Sequence, residues 1–278
     1  MLKALPQQQQ RDNMGTSTRN KGQSGHTPLV PTWLEGEEDI GSQQETQQIP
    51  PDGDANRFIG PRRSFTEYVN GGGRNGSAMK SAVSNYVRRS LGGTENATKR
   101  LGSARITAGR LYSVINAIGF GGGIDYLANE LSIDNLNGLP ADLFFLRIAD
   151  FIVPDGGPND EGIARSAYFE AIADNPKLSG IPIENISSED RDEVLQNFMG
   201  KVIEEHIMND IANKVIQLPN DMKQIAHIEK QVKQLIKNSV SDAFAGYHSD
   251  TNKLRSHDAK KITDQIYRKI YNILGSEE

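Results

Sequence analysis

Residues 94–118 read TENATKRLGSARITAGRLYSVINAI, and their spacing decides the fold. At about 100° per residue, Ala97, Leu101, Ala104, Ala108, Leu111, Ile115 and Ile118 share an arc of roughly 100°, the apolar stripe of a helix with one buried face. Lys99 and Arg110 fall opposite. Three alanines in the stripe predict a neighbour helix at close approach, since small side chains set a short interaxial distance. Thr94 is placed to cap this helix, and Gly92-Gly93 to end the one before it.

The helical period continues on both sides. Ser77 is a candidate cap for a helix to about Leu91, with Met79, Val83, Val87 and Leu91 on one face. Gly119 to Gly123 break the pattern, and a short helix over Ile124 to Leu131 follows. Pro140 opens another, containing Leu143, Phe144, Leu146, Ile148 and Ile152. Asp160 to Ala173 is helical and stops at Asn175-Pro176. Ser187 or Ser188 begins a long helix carrying Val194, Phe198, Val202, Ile207, Ile211 and Val215, which Pro219 interrupts. Ile225, Ile228, Val232, Leu235, Ile236 and Phe244 mark the next. Ser256 caps the last, with Ile262, Ile266, Ile270 and Ile273 buried. No segment reads as a strand and no fixed-period repeat is visible. The predicted class is all-α: a multi-helix bundle over residues 77–278.

Upstream the composition changes. Residues 1–61 are rich in Gln, Gly, Pro, Ser and Thr without a period, and read as a long disordered tail. Phe65, Tyr68 and Val69 suit one docking helical turn, and Gly71-Gly72-Gly73 a hinge, so residues 62–76 read as an anchoring segment. The chain's one tryptophan, Trp33, lies in the tail among Pro28, Leu29, Val30, Pro31 and Leu34. A large aromatic in a segment that cannot bury it reads as a docking anchor.

Several chemistries are disfavoured. The chain has no cysteine, which removes thiolate metal sites and suits a reducing cytoplasm. No secretory signal or membrane-spanning run is visible; Leu143 to Val153 is short and carries Arg147 and Asp150. Gly71 and Gly76 have P-loop spacing, but Ser77-Ala78 stand where Lys-Ser/Thr are needed. The five histidines include no i, i+4 pair. Glu204-Glu205-His206 reads as a solvated helix face. We therefore expect no metal, no cofactor and no enzymatic activity.

Charge is distributed unevenly. Residues 74–110 carry eight Lys/Arg against Glu95 alone, a net +7, whereas residues 125–193 carry a net −11. Arg88, Arg89, Lys99, Arg100, Arg105 and Arg110 form a candidate patch for an anion or an acidic partner. Pairing between the two regions is the plain alternative.

Met14-Gly15-Thr16-Ser17, Thr27 to Leu34, the aromatic stretch Arg62 to Tyr68, the glycine hinge and Ala97 to Gly109 together give a pattern that resembles the QatB family of the bacterial Qat anti-phage system. The resemblance is strongest over residues 14–35 and 62–119. It implies partners: a QueC-like enzyme (QatC), and with it an ATPase and a TatD-like nuclease. QueC enzymes make the nitrile of a 7-deazaguanine precursor, and the resemblance implies that such a partner attaches a deazaguanine-type group to the α-amine of Gly15. Thr16, Ser17, Pro28, Leu29, Val30, Pro31, Trp33 and Leu34 would then be docking residues. Thirteen residues precede Met14, so Gly15 needs either initiation at Met14 or removal of a leader. The start is not a myristoylation signal, because Arg19 holds the position that needs Ser or Thr. The rival reading is a nucleic-acid- or ATPase-binding helical adaptor that uses residues 74–110, with a passive tail.

Overall fold

The computed structural model describes residues 56–153, 159–210, 222–245 and 258–276. Among these residues the fold is all-α, with a lone bridge between Pro140 and Pro182 as its β pairing. Residues 1–55, which hold most of the predicted tail, lie outside the described residues. So do Ile211, Val215, Pro219 and Ser256.

The first helix, α1 (Ile59–Asn70), begins inside the segment read as tail and runs for three turns rather than one. Its period explains this: Pro61, Phe65 and Tyr68 lie on one side and are buried against α2 (Gly76–Asn85). Gly72 and Gly73 follow with φ of +81° and +66°, a left-handed turn that a side chain would strain. The cap of α2 is Asn75, not Ser77. Asn75 has extended backbone, and its side-chain oxygen accepts from the N–H groups of Ser77 and Ala78 at 3.1 and 3.2 Å.

The helix then widens into a π-helical turn over Tyr86–Ser90, where the Leu91 N–H reaches back five residues to the Tyr86 carbonyl. Met79, Val83, Val87 and Leu91 are nevertheless all buried, as predicted. Gly93, not Thr94, holds the N-cap position of α3 (Thr94–Lys99). The single helix expected from residue 94 is broken at Gly102, whose φ of +49° separates α3 from α4 (Ser103–Ile118). The apolar stripe survives the break because both pieces pack on α11 (Ala259–Gly275).

α4 is the central element. It packs on α5 (Gly123–Leu131), α8 (Asn159–Ala173), α9 (Ser188–Asp210) and α11. Its burial is therefore wider than the predicted arc: Thr107, Gly109, Tyr112, Ser113 and Val114 are buried as well. The close neighbour that the alanines required is α11. The Lys260 Cα lies 3.4 Å from where a Cβ on Gly109 would sit.

The single helix expected from Pro140 is divided at Ile148, which leaves helical geometry, into α6 (Ala141–Arg147) and α7 (Ala149–Ile152). Phe144, Ile148 and Ile152 enter the core, while Leu143 and Leu146 face outward at 50% and 44% exposure. The Ser187 hydroxyl accepts from the Asp190 N–H at the start of α9. α10 (Met222–Ala245) packs between α9 and α11.

Candidate partner-binding surfaces

The predicted modification and docking residues, Gly15, Thr16, Ser17, Pro28, Leu29, Val30, Pro31, Trp33 and Leu34, lie outside the described residues. The basic patch lies within them, and the fold divides it. Arg88 and Arg89, on the π turn, and Lys99, at the end of α3, are exposed. The Arg89 guanidinium lies over Gly60 of α1, 2.8 Å from where a Cβ would be. The other three turn inward. Arg105 forms a bidentate pair with Asp264 of α11, its Nε donating to Oδ1 at 2.7 Å and its Nη2 to Oδ2. Arg110, predicted to face solvent, is half-buried and donates to the Phe151 carbonyl at 3.4 Å. Arg100 is half-buried, with its Nε enclosed beside the phenols of Tyr86 and Tyr271.

These phenols line a polar seam in an otherwise apolar core. The Tyr86 hydroxyl donates to the Asp210 carboxylate at 2.7 Å, joining the π turn to the end of α9. Burial first, and the Asp210 charge second, hold its pKa well above the ordinary 10.0. Tyr267 and Tyr271 are fully buried on α11 and shifted the same way, again chiefly by burial. Both stay protonated, since a phenolate there would lie in low dielectric, and the Tyr267 hydroxyl is enclosed without a hydrogen-bond partner. Periodicity could not reveal this seam, because its members come from helices distant in sequence.

A second polar cluster joins α8, α9 and α10. Lys201, only 12% exposed, is 2.8 Å from both Glu170 and Asp174. Burial opposes its charge, but the bonds from Asp174 and Glu170 prevail and raise its pKa. The Lys201 bond lowers the pKa of Asp174. Burial raises those of Glu204 and Glu205, so these residues are partly enclosed, not the solvated face that their sequence suggested.

The glycine hinge is also more than a joint. The Gly73 carbonyl accepts from the Tyr68 hydroxyl at 2.6 Å and from His227 Nε2 of α10 at 2.9 Å. This clamp forms one wall of a cleft of about 490 Å³ between the turn and α10, lined by Val69, Arg74, Lys223, His227 and Ile228. Among the described residues, no three His, Asp or Glu are placed to hold a metal ion, and no helix is long and apolar enough to cross a membrane.

The fold and these surfaces define a cysteine-free, all-helical protein whose accessible features are a clamped cationic cleft and a divided basic patch. The chain belongs to the family described as QatB, Qat anti-phage system associated protein, whose model matches residues 92–274. It is thus a component of the Qat anti-phage defence system, with other Qat components as its partners. The matched span begins at the glycines before α3 and runs into the last turn of α11, leaving out the tail motifs, α1, α2 and the π turn. No curated protein and no solved structure matches the chain.

Proposed function

We propose that the chain is a non-enzymatic member of the Qat complex, and that its N-terminal segment is substrate and docking element for the QueC-like partner. The observation that carries this reading is family membership in a chain whose single Trp lies 18 residues after a Met-Gly start. Gly15 is the acceptor. The residues just after it offer only hydroxyls, and the nearest lysine is Lys21, so the reactive amine is the α-amine of Gly15 once exposed. Glycine suits a narrow active site because it has no side chain. Trp33, flanked by Pro31 and Leu34, is the anchor that presents this end to the enzyme.

The helical domain supports the role as a scaffold. α1 is packed on α2, and the Ser90 hydroxyl holds the Arg57 carbonyl at 3.2 Å, so the chain upstream leaves from a fixed point beside Arg88 and Arg89.

Intact mass of the protein, purified after co-expression with its neighbouring genes, tests the reading. A non-peptide mass on Gly15, absent from a Gly15→Pro variant, is the expected result. Circular dichroism should show that variant still helical, and a plaque assay should show defence lost. An unmodified N-terminus together with salt-sensitive nucleic-acid binding would overturn the reading in favour of an adaptor.

A further inference from the structure

The cleft beside the glycine turn has a specific character. Arg74, Lys223 and His227 are exposed along it, Val69 and Ile228 supply an apolar floor, and its lining among the described residues includes no carboxylate. It is also built. Gly72 and Gly73 hold left-handed φ values, and a Cβ on Gly73 would lie 3.3 Å from the His227 ring. Because the Gly73 carbonyl can only accept, both Tyr68 and His227 must donate to it, and the turn is pinned to α10. A pinned, cationic, partly apolar cleft fits a ligand that combines an aromatic or aliphatic group with adjacent negative charge.

We propose that the occupant is residues 33–39 of the same chain, Trp-Leu-Glu-Gly-Glu-Glu-Asp. No other stretch of residues 1–55 concentrates acid in this way: four of the five residues from Glu35 to Asp39 are carboxylates. They directly follow the Trp-Leu pair. Trp33 and Leu34 meet Val69 and Ile228, and the acids meet Arg74, Lys223 and His227. Reach is no obstacle. The 17 residues from Asp39 to Asn56 can span at most about 60 Å. The 12 residues of α1, which separate Asn56 from the turn, cover about 18 Å. Tethering makes the contact intramolecular, so modest affinity suffices. The docking segment is then stored on its own domain and handed over when a partner competes for it. This concerns the isolated chain and stands whether or not Gly15 is modified.

Trp33 is the only tryptophan, so its fluorescence reports on this segment alone. In the full chain, its emission should be shifted to the blue of the denatured chain and protected from acrylamide. In the Arg74→Glu, Lys223→Glu chain, the emission should shift to the red and quenching should rise to the denatured level, with circular dichroism unchanged. Adding Glu37→Lys and Glu38→Lys to that chain should restore protection. Screening at about 1 M salt should weaken docking in the native chain. Native quenching already equal to that of the denatured chain would overturn the proposal. So would protection that survives the charge reversal. Protection that depends on protein concentration would assign the segment to a second copy and overturn the intramolecular contact. Pyrophosphate binding that is lost in the Arg74→Glu, Lys223→Glu chain but leaves native Trp33 emission unchanged would overturn the proposal and make the cleft a small-anion site.

Discussion

The glycines between α4 and α5 differ sharply from one another. A Cβ on Gly123 would run into the Ala117 carbonyl oxygen, whereas one on Gly121 would meet nothing within 4 Å. Gly123→Ala must therefore shift backbone and should cost about 3 kcal/mol, while Gly121→Ala should be neutral or gain about 0.5 kcal/mol by restricting the unfolded chain. Urea unfolding of the two variants checks this, and equal costs would show that the turn relaxes freely. In the sequence, Gly119 to Gly123 reads only as a flexible break. Nothing in a run of glycines says which one is held by a neighbouring carbonyl, because that depends on the chain folding back. The basic patch has the same limitation. Residue type predicts six cations between Arg88 and Arg110. Only tertiary packing decides that Arg105 faces Asp264 and Arg110 faces the Phe151 carbonyl.

At the level of elements, α1 shows how a strong apolar period can be masked by its setting. Phe65 and Tyr68 were legible as a docking turn, but Ile59 and Gly60 looked like tail because the composition upstream is polar. The structure makes α1 part of the bundle, with Phe65 fully buried against α2. Phe65→Ala should cost about 3–5 kcal/mol, the range for large-to-small changes in a core. In limited proteolysis, residues 59–70 should resist cleavage in the native chain and become a cutting site in Phe65→Ala. Early cleavage within native α1 would show that the helix does not belong to the folded unit. Most other elements follow from periodicity, except that the helix expected from Pro140 is split at Ile148 and the 3-10 turns at Pro176–Leu178 and Ile183–Asn185 carry no periodic signal; the departures have backbone causes. The left-handed residue at Gly102 and the π turn at Tyr86–Ser90 alter the hydrogen-bond register without altering which residues are apolar.

Across the whole molecule, the buried phenols set the alkaline limit of stability. Four of the seven tyrosines among the described residues, Tyr86, Tyr168, Tyr267 and Tyr271, are fully enclosed, and burial is the leading cause of each raised pKa. A phenol raised in the folded state favours folding below the unfolded value of 10.0. Above that value the unfolded chain loses protons that the folded chain keeps, so stability falls. Lys201 acts in the same direction, since its raised pKa contributes stability that is lost as pH rises through the folded value. On the acid side the groups oppose one another. Asp174, with its pKa lowered, loses its contribution as pH falls through the folded value, whereas Glu204 and Glu205, with theirs raised, cost stability at neutral pH and return it on acidification. The urea midpoint should therefore vary little with mild acidification and fall steeply above about pH 10. Phenolate absorbance should show at least four tyrosines ionising only together with unfolding. Titration of all eight near the ordinary value in a chain that stays helical would mean that the seam around Tyr86 and Tyr271 is open to water.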